Sequence, residues 1–311
     1  MLRTMFGAAL GLALLAGCGA QAIQPGPTSA PWPTARPCLA QIKTLRLSDM
    51  SVSAITAPDQ PAADPAWSPD GRTLAVIAER AGNQDIFLID AVGGDLRQLT
   101  ADPAADRAPD WSPDGRSLVF ASDRGGASQL YAIGADGAGE AHLPTAQHSA
   151  HDPAWSPDGR SILYASDEPE TSNRVVRMVA ADAAQDRLIL NVANPLGYHG
   201  QDYELPVWSP DGRRFLAVYE FRGGLWSDLK VWASPESPEP AAAIYSGGSA
   251  VAGADWSPDG ERVVFARDGV LVIAPAIAGG ADSAIDTGVA GYNPSWSPDG
   301  AYIAFDTGCQ P

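Results

Sequence analysis

Trp67-Ser68-Pro69-Asp70-Gly71 decides how this chain is read. The same pentapeptide begins again at Trp111, Trp155, Trp208, Trp256 and Trp296, at intervals of 44, 44, 53, 48 and 40 residues. A signature that returns at this period marks a repeat architecture, in which each unit buries its apolar face against the next. Within one repeat, Pro65-Ala66-Trp67 reads as a short strand and Ser68-Pro69-Asp70-Gly71 as a turn. Proline pre-sets its own dihedral, aspartate bonds nearby backbone and glycine takes positive φ. Thr73 to Ala78 is a second strand, Glu79 to Gln84 a loop, Asp85 to Asp90 a third strand, and Leu96 to Thr100 a fourth after the Val92-Gly93-Gly94-Asp95 turn. Four short antiparallel strands in about 40–45 residues make a propeller blade. A solenoid would need helices or a shorter strand period, and neither is present. The expected fold is all-β, a six-bladed β-propeller, with each repeat tryptophan packed between adjacent blades.

The two ends of the repeat array complete each other. After Trp296 there is one further strand, Tyr302 to Asp306. Before Trp67 lie two orphan strands, Ile42 to Leu47 and Val52 to Thr56, the second aligning with Leu96 to Thr100. The N-terminal pair is therefore expected to supply the outer strands of the last blade. Cys38 and Cys309 flank that junction, where the loop between strands two and three of an unbroken blade would lie, and a Cys38–Cys309 disulfide is expected to close it. An oxidising compartment would permit such a bond.

The leader points to that compartment. Residues 1–17 read as a lipoprotein signal peptide, with Arg3 ahead of an apolar run, Met5 to Ala16, that is too short to span a bilayer. It ends in Leu15-Ala16-Gly17-Cys18, which resembles a bacterial lipobox, so Cys18 is expected to be the lipidated residue that attaches the protein to the membrane. Residues 18–37 carry Pro25, Pro27, Pro31, Pro33 and Pro37 among small residues, the composition of an extended tether. Residues 38–311 form the propeller, expected as a monomeric body. Loss of Arg3 with the leader takes the formal charge from −17 to −18, which argues against a nucleic-acid-binding surface.

The repeats resemble those of the TolB propeller family. The six Trp-Ser-Pro-Asp-Gly motifs carry the resemblance, together with Ala121-Ser122-Asp123-Arg124, Asp85-Ile86-Phe87-Leu88-Ile89-Asp90 and Leu96-Arg97-Gln98-Leu99-Thr100. It covers about residues 38–311 and is specific for fold rather than activity. It implies an extracytoplasmic, envelope-associated protein whose partner is another envelope protein, a Pal-like one among the candidates. TolB carries a separate N-terminal α/β domain, for which residues 1–37 leave no room, and TolB is not itself lipid-anchored. The expectation is a TolB-like lipoprotein. Similar repeats adjoin the hydrolase domain of prolyl-oligopeptidase-type peptidases, but no Gly-x-Ser-x-Gly nucleophile elbow occurs here.

Blade topology puts all six Ser-Pro-Asp-Gly turns on one face and leaves the unequal loops to the other. The longest connection, about Asn191 to Leu205, contains Tyr198, His199, Asp202, Tyr203 and Glu204. The neighbouring blade has an enlarged loop at about Glu220 to Asp228 with Phe221, Arg222 and Trp226, and a further inter-blade segment offers His148, His151 and Asp152. These residues are the expected partner- or ligand-binding site, since variable loops on a rigid scaffold carry recognition. His148, His151 and His199 with Asp202 or Glu204 could converge on a metal, but their loop positions lack fixed ligand spacing, and no metal or cofactor is expected. Asp123, Asp167 and Asp268 follow the second strand of their blades and read as turn caps. No catalytic constellation is legible. An interaction platform is the leading expectation, and a carbohydrate- or small-ligand-active propeller of lyase or lactonase type is the alternative.

Overall fold

The computed structural model describes residues 40–145, 148–168, 173–182, 185–190, 201–221, 226–237, 240–247 and 249–308. Two strands come first, β1 (Ile42–Arg46) and β2 (Val52–Ala54). Blade 1 holds β3 (Ala62–Trp67), β4 (Thr73–Arg80), β5 (Asn83–Asp90) and β6 (Arg97–Gln98). Blade 2 holds β7 (Asp106–Trp111), β8 (Ser117–Ser122), β9 (Gln129–Gly134) and β10 (Ala141–Leu143). Blade 3 holds β11 (Ala150–Trp155), β12 (Ser161–Glu168), β13 (Asn173–Ala180) and β14 (Asp186–Leu190). Blade 4 holds β15 (Gln201–Trp208), β16 (Phe215–Phe221), β17 (Trp226–Trp232) and β18 (Pro240–Gly247). Blade 5 holds β19 (Val251–Trp256), β20 (Arg262–Arg267), β21 (Val270–Pro275) and β22 (Ile285–Ala290). Blade 6 takes β23 (Tyr292–Trp296) and β24 (Tyr302–Asp306) and is completed by β1 and β2, in the order β2-β1-β24-β23. All pairings are antiparallel, so the chain forms the expected six-bladed propeller. Among the described residues the only helix is a single 3-10 turn, Gly280–Ser283, and none is long and apolar enough to cross a membrane.

The core is divided among the six seams between blades. Each seam holds one hydrophobic cluster, and each cluster contains one repeat tryptophan from the later blade. Trp111 packs with Ile77 and Ile86 of blade 1, and Trp296 with Val264 and Ile273 of blade 5. Trp67 closes the ring by packing with Ile42 and Ala304 of blade 6. Indole N–H groups reach back across three seams, from Trp67 to Ser295 O, Trp111 to Ala66 O and Trp256 to Val207 O, at 3.2–3.3 Å. A closed ring of seams buries both faces of every blade and leaves the first strands as short edges around the channel.

The turns repeat atom for atom. The Ser68 hydroxyl donates to Asp70 Oδ1 at 2.7 Å and accepts from Thr73 N, while Asp70 Oδ1 also accepts from Arg72 N. The same bonds recur at Ser112/Asp114, Ser156/Asp158, Ser209/Asp211, Ser257/Asp259 and Ser297/Asp299. The Ser hydroxyl holds each of these exposed aspartates below the ordinary carboxylate range, the backbone amide of the residue two positions on helping. Each turn glycine lies against the turn proline of the preceding blade, Gly115 on Pro69 and, across the closure, Gly71 on Pro298. The six turns thus form one continuous ring on one face.

On the other face the strands run further than expected. The segment 79–84 is not a loop: β4 and β5 extend through it and leave only Ala81 and Gly82, both at positive φ, as a two-residue turn. That left-handed geometry matches the twist of the flanking strands. Blade 5 uses Asp268-Gly269 in the same way, so Asp268 is part of the turn itself. Longer connections gather on blades 2 to 4. The hairpin of blade 2 spans 123–128, strands stop at Glu168 and resume at Asn173 in blade 3, and stop at Phe221 and resume at Trp226 in blade 4. Blade 3 ends at Leu190 and blade 4 begins at Gln201, whereas blade 5 passes to blade 6 through Gly291 alone.

Candidate functional site: the channel and its mouth

The first strand of every blade faces a central cavity of about 460 Å³. All six strands kink at the same place. Asp64, Ala108, Asp152, Leu205, Gly253 and Asn293 have φ between 46° and 73°, and each sits at a register shift in its strand. Five are followed by proline, at Pro65, Pro109, Pro153, Pro206 and Pro294. Proline has no N–H to give a ladder and is tolerated at a bulge. The kink aims the neighbouring side chains into the channel, so positions counted back from each tryptophan become rings around it.

Directly before the tryptophan stand Ala66, Asp110, Ala154, Val207, Asp255 and Ser295. The two aspartates, on blades 2 and 5, brace seams. Asp110 Oδ2 accepts from Trp155 N and Asp255 Oδ2 from Trp296 N, both at 2.7 Å, while Asp255 Oδ1 takes Trp256 N. Burial pushes both carboxyls up to about 7 against the pull of those amides, and in Asp110 the charge of Asp255 adds to the rise. Asp64, at the kink of blade 1, is likewise pushed to about 7 by burial, then by Asp306 and Asp152. Each of the three keeps a partial opening to channel solvent while protein walls it on the other sides.

Four residues before the tryptophan the ring reads Ala63, Arg107, His151, Glu204, Ala252 and Tyr292. Three consecutive blades, 2 to 4, carry titratable or charged groups there. Arg107 Nη1 donates to Asp123 Oδ2 at 2.9 Å, and His151 Nε2 lies 3.1 Å from Asp167 Oδ2. Arg174, 5% exposed, ties blade 3 to blade 4. Its Nε donates to Asp167 Oδ1 at 3.0 Å, its Nη1 to Glu204 Oε1 at 3.1 Å and its backbone N to Asp202 Oδ1 at 2.7 Å. Asp123 and Asp167 are therefore partners of channel-mouth cations rather than turn caps.

The site residues expected from sequence fall as follows. Asp202, Tyr203 and Glu204 lie on strand β15 rather than in a loop, because β15 pairs with β16 from Gln201 onward. Asp202 and Glu204 are buried in the network just described, whereas Tyr203 packs its ring on Tyr219 and Trp232, 5.2 and 5.6 Å away, inside blade 4. His151 is on β11, and His148 sits before it with Nε2 3.8 Å from Glu168 Oε2. Phe221 and Trp226 are backbone partners in the β16–β17 register, so Glu220, Phe221 and Trp226 to Asp228 are strand. Tyr198, His199, Arg222, Cys18, Cys38 and Cys309 lie outside the described residues. Among the described residues no three His, Cys, Asp or Glu side chains are placed to hold a metal ion. The sequence reading missed Arg107, Asp110, Arg174 and Asp255. Aligning the six repeats on tryptophan and reading down each column would have found all but Arg174.

A six-bladed propeller whose repeats carry Trp-Ser-Pro-Asp-Gly turns, with a polar sector on one side of its channel mouth, defines the class. The chain belongs to the TolB beta-propeller domain family, whose model matches residues 39–219. Among solved structures it is similar to TolB from Acinetobacter baumannii, at 17% identity with a TM-score of 0.59, covering 86% of this chain and 63% of that one. It is also similar to an oligogalacturonate lyase from Vibrio parahaemolyticus, at 14% identity with a TM-score of 0.53, covering 86% and 97%. Identities this low show the shared fold alone. A 41-residue stretch is 49% identical to the uncharacterized peptidase YuxL of Bacillus subtilis, which is 13% of this chain and only 6% of that protein's length.

Proposed function

We propose that this protein is an envelope lipoprotein whose propeller serves as a protein-interaction platform. Cys18 carries the lipid after residues 1–17 are removed, residues 18–37 form the tether, and a Cys38–Cys309 disulfide closes blade 6. The partner is an envelope protein, and it docks on the blade 2–4 sector of the channel mouth, around His148 and His151 and the segments 191–205 and 220–228. The observation that carries the reading is a coincidence of two asymmetries. Arg107, His151 and Glu204 occupy one ring position on blades 2 to 4, where Ala63, Ala252 and Tyr292 stand elsewhere. The long connections fall on those same blades. Recognition residues on a rigid scaffold are expected where repeats stop resembling one another. Cross-linked pull-down from envelope extract tests it. The wild type and an Arg72→Ala, Arg116→Ala control on the turn face should recover the same partner, and Arg107→Ala, His151→Ala should lose it. An unchanged partner set in the second variant rejects this face.

The channel aspartates favour one second reading, a carbohydrate-active propeller. Asp64, Asp110 and Asp255 titrate near neutrality around a cavity of about 460 Å³, and perturbed carboxyls in a cleft are candidates for acid–base work. Release of unsaturated products from oligogalacturonate, abolished by Asp64→Asn, would establish it. No product with or without added divalent metal would dismiss it.

A further inference from the structure

The channel mouth is two-sided. Counted four residues before each tryptophan, blades 2 to 4 carry Arg107, His151 and Glu204, whereas blades 5, 6 and 1 carry Ala252, Tyr292 and Ala63. Tyr292 thus stands between two alanines. It is 36% exposed, and it is the one aromatic among the exposed large apolar side chains of the described residues. The rim beside it is low. Blades 1 and 5 close their mouth hairpins with Ala81-Gly82 and Asp268-Gly269, and Gly291 alone carries the chain from β22 into β23.

Two glycines seat the ring. Gly269 and Gly308 have φ of 75° and 59°, which glycine adopts without strain, and both lie against Tyr292. A Cβ on Gly269 would stand 2.6 Å from Tyr292 Oη and 3.0 Å from its Cζ, and one on Gly308 would run into Cδ2 and Cε2. The ring is gripped at its hydroxyl end and along one edge and is open elsewhere. An aromatic held in this way loses little freedom when something stacks on it. The charge beside it is negative. Asp268 is exposed in the turn next to Gly269. Asp306 pairs with Tyr292 in the β23–β24 register, which puts both side chains on one face of the sheet. Its carboxylate accepts from Asn293 Nδ2 at 2.9 Å, Gly308 N at 3.1 Å and Asp64 N at 3.2 Å. Arg80 and Arg267, the arginines of the neighbouring hairpins, turn to the outer strands. Arg80 donates to Gln98 and lies over Phe87, and Arg267 lies over Tyr245 of blade 4. An open aromatic face flanked by carboxylates selects a cation, since the ring's negative face and the carboxylates attract it together.

We propose that Tyr292 anchors a basic segment of the protein partner, with an arginine or lysine side chain stacked on its ring and the charge toward Asp268 and Asp306. This anchor rests on the mouth being the docking face and adds to it the rim opposite blades 2 to 4, where the low edge gives an extended segment a way in. The probe is the peptide acetyl-Gly-Arg-Gly-Arg-Gly-amide, titrated calorimetrically into the full chain at low ionic strength. Its partner probe carries citrulline for arginine, which keeps the shape and removes the charge. Wild type should hold the citrulline peptide at least about threefold more weakly than the arginine peptide. Tyr292→Phe should bind the arginine peptide within about twofold of wild type, and Tyr292→Leu should weaken it by roughly three- to thirtyfold with citrulline binding unchanged. No arginine binding, equal binding of the two peptides, or an unchanged affinity in Tyr292→Leu would overturn the anchor. Should Tyr292→Leu unfold, phenylalanines of increasing fluorination placed at position 292 decide. Affinity should fall as fluorine drains the negative face of the ring, and a constant affinity overturns the anchor. Arg107→Ala, His151→Ala should bind the arginine peptide at least as tightly as wild type, so failure of the blade 2–4 docking face and failure of the anchor are read separately. Loss of the peptide in that variant would put the cation site on blades 2 to 4 and overturn the role of Tyr292.

Discussion

Gly253 and Ala108 occupy the same kink in blades 5 and 2, at φ 73° and 50°, yet only blade 5 requires glycine there. A Cβ built on Gly253 would lie 2.7 Å from Asn293 Cα and 3.0 Å from Pro294 Cδ, both held by the backbone of blade 6. Gly253→Ala should cost about 2–4 kcal/mol, from left-handed strain and from overpacking that a proline-locked neighbour cannot relieve. Ala108→Gly in blade 2 should change stability by less than about 1 kcal/mol, because it trades strain relief for chain entropy. Urea denaturation of both variants checks the contrast, and equal effects would show that the kink itself, not the neighbour, sets the requirement. Asp110 supplies a second test at this scale. Its Oδ2 is an acceptor for Trp155 N across the blade 2–3 seam, so Asp110→Ala orphans a buried amide and should cost about 1–3 kcal/mol. Asp110→Asn keeps an acceptor at the same reach and should lose less.

The closing pair of strands behaves as the missing half of a blade, down to single bonds. Ile42 N donates to Thr56 Oγ1 at 3.0 Å, and Ile86 N donates to Thr100 Oγ1 at 3.0 Å; Ile55 N bonds Ile42 O just as Leu99 N bonds Ile86 O, both at 2.8 Å. Thr56→Val and Thr100→Val remove equivalent acceptors from buried amides and should each cost about 1–3 kcal/mol in chemical denaturation. A much smaller loss for Thr56→Val would mean that the closure is looser than an ordinary blade. β1 runs antiparallel to β24 with Ile42 opposite Asp306, and Thr307 N bonds Gln41 O. That register supports the proposed Cys38–Cys309 bond, which on the chain-entropy account would be worth roughly 4–5 kcal/mol. Cys38→Ser should lower Tm with the far-UV spectrum unchanged, and free thiols at both positions in native protein would exclude the bond. These elements were legible because Trp-Ser-Pro-Asp-Gly fixes the period, and a fixed period exposes Val52 to Thr56 as a copy of Leu96 to Thr100. The strand ends were less so: residues 79–84 and 201–205 look loop-like in composition, but pairing with the neighbouring strand extends them. Arg174 was invisible at this level, since its role comes from carboxylates 7 and 30 residues away on two blades, a proximity set by the β12–β13 register and by the packing of blade 4 on blade 3.

Five carboxyls walled by protein give the whole molecule an unusual response to pH. Asp85 is raised to about 6, Asp64, Asp110 and Asp255 to about 7 and Glu204 to about 8, in each case chiefly by burial. For an acid raised on folding, the folded state binds more protons than the unfolded one between the ordinary carboxyl range and the raised value. Its stabilising contribution is whole below the ordinary carboxyl range and is lost as pH climbs to 7 or 8. Asp167 and the six turn aspartates are lowered, so their contribution is present above the ordinary range and is lost only as pH falls beneath it. Between pH 5 and 8 the raised set titrates in a state-dependent way, with Asp106 and Glu220 raised in the same direction. The net charge of −17 acts in the same direction, because every further ionisation adds self-repulsion to the compact state. Tm should therefore fall from pH 5 to pH 8, the reverse of a protein stabilised mainly by paired carboxylates, and should fall again below pH 4 as the turn aspartates protonate. The channel admits some solvent to Asp64, Asp110 and Asp255, which moderates the slope without changing its sign. An Asp255→Asn, Glu204→Gln double variant should flatten the pH 5–8 limb while leaving the acid limb in place. Scanning calorimetry at constant ionic strength measures both limbs, and a wild-type Tm that rises through this window would show that these carboxyls are ionised in the native channel.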